Sequence, residues 1–362
     1  MLLAATPMTA QGPLRLFSCF GADPARPADM AERYDLVIWH NDPVLRQALL
    51  DLRQRNAAIT GLMYRELFCV SQVEGPLGET VGSYAWIDAH HPEWFQRDQQ
   101  GRRIRVTDYP GRWMMDVGHP DWQTFWIEQT LQDVVAGGWD GVFADDALTT
   151  IRAHRLPPLA GYPTDQALQA AMSGFLERAT SAFHQAGKRV IANASNASDY
   201  PGLWERWLDV TDGLMEEHFA GDGWTWGEAV AQRQLSAMQA AVRRNKWMLC
   251  LTYGPWSDPE RMETSLAAYL IGAGSTTYWS YRPDAAPDEP AWHPSWAVPL
   301  GQPIGEAVEG SAIWQRPFER GLVIVNASRS PQRVATSCGA ISLKPKQGRV
   351  LTTACVDPFR SR

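Results

Sequence analysis

An alternation constrains this chain more than any other feature. Between residues 14 and 282, short apolar runs that end in polar or aromatic residues alternate with longer amphipathic stretches. The runs are LRLFSCFG (14–21), YDLVIWHN (34–41), AITGLMYRE (58–66), DGVFADD (140–146), KRVIANAS (188–195), DGLMEEHF (212–219), KWMLCLTY (246–253) and STTYWSYR (275–282). Short runs of β-branched and aromatic residues predict buried strands. The intervening segments, such as DPVLRQALLDLRQR and TDQALQAAMSGFLERATSAFHQAG, carry helical periodicity. Several start on Asp or Thr and stop near Gly or Asn, the residues that cap helices. Regular strand–helix alternation requires a parallel sheet with right-handed crossovers. With close to eight units, the chain predicts an α/β fold of the (β/α)₈ barrel type rather than a doubly wound sheet.

A ninth run, GSYAWIDAH (82–90), falls in the long stretch 67–120 between the third and fourth units. It predicts an inserted loop with substrate contacts, or an extra strand. Past residue 300 the helical period disappears, and AIWQRPFERGLVIVNASRS and AISLKPKQGRVLTT suggest short strands joined by turns. The expected organisation is an N-terminal tail (1–13), a catalytic barrel (14–300) and a small β-sandwich-like domain (301–362).

Composition removes several classes of function. The net charge is −7 with no basic block, so nucleic acids and anionic membrane surfaces are poor partners. No run approaches the roughly 18 apolar residues of a membrane span. The opening MLLAATPMTAQGP lacks a basic region and has too short an apolar core for a convincing signal peptide, so the location stays open, the periplasm and the outside of the cell being the candidates. No glycine-rich fingerprint follows the first strand and no phosphate-binding loop appears, so no nucleotide cofactor is expected. Cys19, Cys69 and Cys250 sit in apolar runs, where a thiol packs as a small hydrophobe. Cys338 and Cys355 are the one candidate disulfide pair.

Barrel active sites lie at the C-terminal ends of the strands. The polar residues there are His40, Asn41, Tyr64, Arg65, Glu66, Asp145, Asp146, Asn193, Glu216, Glu217, Tyr253, Trp279, Tyr281 and Arg282. A mouth rich in carboxylates, amides and aromatics suits a polyhydroxylated neutral ligand, hence a carbohydrate partner. Glycoside hydrolysis needs two carboxylates flanking the scissile bond. The doublets Asp145/Asp146 and Glu216/Glu217 end the fourth and sixth strands. Because side chains alternate along a strand, each doublet should send one residue into the mouth and one away.

These segments also carry a resemblance. GWDGVFADD, GKRVIANAS and TDGLMEEHF, with HPEWFQRDQQGR and WMMDVGHPDWQTFW upstream, resemble the hypothetical glycosyl hydrolase families built on TIM barrels, family 15 in particular. They are more distantly similar to the endo-α-1,4-polygalactosaminidase family. The resemblance implies a nucleophilic Asp ending the fourth strand and a Glu acid/base ending the sixth, an arrangement shared with retaining α-galactosidase-like enzymes. By position these are Asp145 and Glu217, with Asp146 and Glu216 as alternatives.

Asp88, His90 and His91 in DAHHPEW could suggest a metal, but no further ligand recurs at a metal-binding spacing, so no metal site is expected. Asp88 and His90 are instead candidates for sugar hydrogen bonds. Most of the 17 Trp fit a large core, while Trp224 and Trp226 in GDGWTWGE, like Trp279 and Tyr281, are candidates to stack on sugar rings. The expectation is a cofactor-free retaining glycosidase. A non-catalytic carbohydrate-binding barrel and a barrel enzyme of other acid/base chemistry are the alternatives.

Overall fold

The structure is a computed structural model that describes residues 14–19, 27–73, 79–221, 227–283, 292–309, 313–336 and 339–352. Trp224, Trp226, Cys338 and Cys355 lie outside the described residues.

In chain order the first elements are β1 (Phe17–Cys19), α1 (Pro27–Arg33), β2 (Leu36–Trp39), α2 (Pro43–Arg55) and β3 (Thr60–Glu66). The insertion carries β4 (Cys69–Ser71), α3 (Tyr84–His90) and β5 (Arg112–Met114). The alternation resumes with α4 (Pro120–Ala136), β6 (Gly141–Asp145), α5 (Asp165–Gln185), β7 (Arg189–Asn193), α6 (Leu203–Val210) and β8 (Gly213–Glu216). It ends with α7 (Glu228–Arg243), β9 (Trp247–Tyr253), α8 (Pro259–Gly272) and β10 (Thr277–Arg282).

Eight strands form one parallel sheet in the order β1-β2-β3-β6-β7-β8-β9-β10. It closes where Leu16 bridges Trp279 and the Trp279 N–H donates to the Arg15 carbonyl at 2.8 Å. This is a (β/α)₈ barrel, as the alternation predicts. The caps are those the sequence marks: Asp42, Thr164 and Asp258 accept hydrogen bonds from the first turns of α2, α5 and α8.

Alternation along the strands divides the core in two. Phe17, Ile38, Leu62, Phe143, Ile191, Met215 and Leu251 fill the barrel. The larger cluster lies between strands and helices and holds Trp39, Trp126, Trp139, Trp207 and Trp279, all almost fully buried. Most of the described tryptophans are therefore packing residues. Cys19, Cys69 and Cys250 are free and buried.

The run 82–90 departs from expectation. Its larger part is helix α3, with Ile87 as its one fully buried side chain, and Trp86 stacks on His90 one turn later. Apolar residues here repeat at helical rather than alternating spacing, so neither a loop nor a strand forms. The strands of the insertion are instead β4 and β5, paired antiparallel with Cys69 opposite Met114.

Beyond the barrel, β11 (Val308–Glu309), β12 (Ile313–Phe318), β13 (Gly321–Asn326) and β16 (Gln347–Thr352) form an antiparallel sheet, and β14 (Gln332–Thr336) pairs with β15 (Gly339–Leu343). Ile324, Val334, Leu343 and Leu351 make a small core between the two sheets. The larger sheet docks on α8. Arg316 donates to the carbonyls of Leu270, Ile271 and Ala273 at 3.0, 3.3 and 2.7 Å, filling the open acceptors at that helix's C-terminus. Glu263 of α8 accepts from Arg349 Nε and the Val350 N–H.

Candidate active site

The C-terminal ends of several barrel strands gather polar side chains at one end of the barrel. Tyr64 and Glu66 come from β3, Asp145 from β6, Asn193 from β7 and Tyr253 from β9, while Glu217 follows β8. Five of these are joined by four direct hydrogen bonds. Asn193 Nδ2 donates to Asp145 Oδ1 at 2.8 Å and to Glu217 Oε2 at 2.6 Å. The Tyr64 hydroxyl donates to Asp145 Oδ2 at 2.5 Å, and the Tyr253 hydroxyl donates to Glu217 Oε1 at 2.8 Å.

The Asn193 amide is locked in this orientation. Its Oδ1 accepts from Ser195 Oγ at 2.9 Å, and Ser195 Oγ in turn accepts the Glu217 N–H at 2.8 Å. The nitrogen must therefore face the two carboxylates. Hydrogen bonds of 2.8 and 2.6 Å from one nitrogen hold Asp145 Oδ1 and Glu217 Oε2 no more than about 5.4 Å apart.

Burial, then the charges of Asp146 and Glu217, push the Asp145 carboxyl up to about 8, although the bonds from Tyr64 and Asn193 pull the other way. The cost of removing a carboxylate from water outweighs two donated hydrogen bonds here.

A second layer backs this pair. Glu66 is fully buried, accepts from Arg112 Nη1 at 2.8 Å and from the Leu67 N–H at 3.1 Å, and is pushed well up by burial and by Asp146 and Asp145. Arg112 also donates to Glu79 at 2.5 Å. Glu66, Asp145 and Asp146 present carboxylate oxygens within 4.8 Å of one another.

The two doublets behave differently. Glu216 obeys strand alternation: it points away from the mouth, is buried, lies 3.5 Å from Ser198 Oγ, and is raised to about 7 by burial. It is not beside the amide shared by Asp145 and Glu217. Asp146 breaks the alternation. Its φ of 56° turns the chain at the end of β6, so its carboxylate joins Asp145 and Glu66 instead of pointing outward.

The other expected residues divide by geometry. His40 reaches the mouth, its ring edge-on to Tyr64 at 4.8 Å. Arg282 donates to the Cys19 carbonyl at 2.5 Å across the barrel closure. Trp279 and Tyr281, expected as stacking residues, face the helices: Trp279 Nε1 donates to Ser265 of α8 at 2.9 Å, and the Tyr281 hydroxyl donates to the Pro255 carbonyl at 3.1 Å. They occupy the outward positions of β10, while Tyr278 occupies an inward one. Asp88 pairs with Arg103, and His90 bonds the Trp86 carbonyl and stacks on that ring, so both serve the insertion and not the mouth.

Several mouth residues carry no sequence signal of their own. Tyr109 and Arg112 arrive from the insertion, with the Arg112 guanidinium 4.8 Å over the Tyr109 ring. Tyr109 is near enough for Asp146, Asp145, Glu66 and Glu217 all to raise its hydroxyl, after burial as the main cause. His154 lies in the loop after β6, 3.3 Å from Asp146, and His218 packs against Tyr253 at 5.8 Å.

The fold and the bridged carboxylate pair define the chain as a (β/α)₈ barrel with an acidic mouth. More specifically, the description "Hypothetical glycosyl hydrolase family 15" matches residues 53–322, and the chain belongs to that family. Comparison with curated proteins gives no match. Among solved structures the chain is similar to a family 31 dextranase from Flavobacterium johnsoniae complexed with glucose (12% identity, TM-score 0.54, covering 94% of this chain and 50% of the dextranase). It is also similar to a maltogenic α-amylase from Thermotoga neapolitana (10% identity, TM-score 0.50, covering 94% and 97%). A xylosidase from Aspergillus niger is a third (9% identity, TM-score 0.54, covering 97% and 63%). The chain thus spans half the length of the dextranase, and at these identities the likeness is one of fold.

Proposed function

We propose that the protein cleaves a poly- or oligosaccharide with retention of configuration, Asp145 acting as nucleophile and Glu217 as acid/base. The observation that carries this is the single amide between them. Retaining enzymes hold their two carboxyls about 5–5.5 Å apart and inverting enzymes about 6.5–9.5 Å. A shared donor at 2.8 and 2.6 Å fits the shorter spacing and leaves no room for a water between the carboxylates.

In the first step an Asp145 oxygen attacks the anomeric carbon while Glu217 gives its proton to the leaving oxygen. In the second, Glu217 takes a proton from water, which displaces Asp145. Attack requires ionised Asp145, and because the unliganded site favours a proton there, that proton passes to solvent before the first step. Positive charge developing on the sugar then stabilises the anion. Tyr64 and Asn193 already donate to both Asp145 oxygens, which steadies the anion.

The test is a panel of polysaccharides and aryl glycosides, with the first-formed anomer followed by NMR. Retention supports the assignment, and inversion refutes it. A non-catalytic binding barrel would show sugar affinity with no turnover on any member of the panel.

A further inference from the structure

A chain of alternating charge runs from the surface to the nucleophile. Arg155 is exposed and pairs with Asp108 of the insertion. Asp108 Oδ2 lies 3.7 Å from His154 Nδ1, and His154 Nε2 lies 3.3 Å from Asp146 Oδ1. Asp146 in turn adjoins Asp145 and Glu66. Both ring nitrogens of His154 thus face carboxylates, which suits an imidazolium.

The local backbone is arranged around this placement. His154 and Arg155 have consecutive φ values of 49° and 55°, a region that side-chain-bearing residues rarely adopt. The ring lies flat on Phe68, with centroids 5.3 Å apart and planes 6° from parallel, and Tyr109 packs beside it at 5.3 Å. Outliers of this kind cluster where a function holds them.

We propose that His154 is a positioning residue whose imidazolium, clamped between Asp108 and Asp146, offsets the Asp146 charge and so sets the pH at which Asp145 ionises. The groups facing it are Asp146 and Asp145 at the end of β6, Asp108 and Tyr109 of the insertion, Phe68 after β3, and its own neighbour Arg155. Burial opposes its charge, but the bond to Asp146 and the charges of Asp146, Asp108 and Asp145 hold His154 above its ordinary value. Linkage is reciprocal: a carboxylate that favours the imidazolium is itself favoured by it. The insertion then does more than wall the mouth, because it supplies the outer carboxylate that keeps this cation charged.

The consequence for turnover rests on Asp145 as nucleophile, but the test does not. Side-chain carboxyl ¹³C-labelled Asp is titrated by NMR in the full chain, with the signal lost in Asp145→Asn giving the assignment. In His154→Gln the Asp145 midpoint rises by about one pH unit, the size expected for one unit charge lost at this range in a partly polar site. In His154→Arg, which keeps the charge, it returns to within a few tenths of the native value. Asp108→Asn, at the rim, gives a smaller rise and serves if His154→Gln does not fold. An unmoved midpoint in both neutralised variants overturns the proposal, as does an equal displacement in His154→Gln and His154→Arg. If the midpoints move as expected but no glycoside is cleaved, it is the hydrolase assignment that fails.

Discussion

Asp145→Asn should abolish turnover and, above neutral pH, make the protein more stable. An Asp in the unfolded chain ionises near 3.8, whereas Asp145 in the fold is held up to about 8. Between those values the folded state keeps a proton that the unfolded chain has released. The contribution of this carboxyl is therefore fully present below pH 3.8 and declines as pH rises to about 8.

At about 1.4 kcal/mol per tenfold change, the whole interval sets a ceiling near 6 kcal/mol. Water entry and side-chain relaxation soften the cost of burying the charge, so about 2–3 kcal/mol is the expected relief at pH 8.5 from neutralising Asp145. Against this stands a lost acceptor. Tyr64 and Asn193 both donate to Asp145, and an Asn side chain presents one oxygen and one amino group, which costs about 1 kcal/mol. The net expectation is about 1 kcal/mol of destabilisation at pH 4 and 1–2 kcal/mol of stabilisation at pH 8.5. In a chain of 362 residues that is roughly −1 °C and +2 °C in Tm. Calorimetric scans of both proteins from pH 4 to 9 measure it. A difference flat with pH, or one turning against the variant at high pH, would show that Asp145 is ionised throughout and refute the electrostatic account.

Other expectations follow from the same contacts. Asp146→Asn removes one of the charges that raise Asp145, so the rising limb of kcat/KM against pH should move down by about one unit, measured on whichever aryl glycoside is cleaved. Asn193→Ala removes the donor shared by the two carboxylates; kcat should fall at least 100-fold with little change in KM, and an unchanged kcat would separate the amide from catalysis. Trp279→Leu should cost about 3 kcal/mol of stability yet leave sugar affinity unaltered in calorimetric titration, since the ring packs on α8. Arg316→Met should lower stability by about 2 kcal/mol in denaturant melts, because three carbonyls at the end of α8 lose their donor.

The barrel was legible because its signal is repeated: every predicted strand in the alternation is a strand, and the Asp and Thr caps lie where the helices begin. The core of the site was legible for a related reason. Residues at the ends of parallel strands must converge, so Tyr64, Asp145, Asn193, Glu217 and Tyr253 could be placed by position alone. What failed was facing. Trp279 and Tyr281 have the chemistry of sugar-stacking residues, but they sit two apart on the outward side of β10, and only the register of Tyr278 reveals it. Asp146 failed in the opposite sense, because a left-handed backbone at the strand end overrides alternation and leaves no periodic trace. Tyr109 and His154 come from irregular chain, and Arg112 from the three-residue strand β5, where spacing predicts nothing.

The docking of the C-terminal sheet on α8 bears on more than that helix. Strand β1 is three residues long, and among the described residues the barrel closes beside it through one bridge, from Leu16 to Trp279. The seam is the weakest line around the hoop, and α8 leads directly into the strand that forms its far side. Arg316, Glu263 and Arg349 fasten the small sheet to that helix and so act as a clasp on the seam. The two units then share one mechanical integrity. A chain cut near residue 300 would lose the rigidity that holds Arg282 against the Cys19 carbonyl at the lip, and the mouth would slacken on that side first.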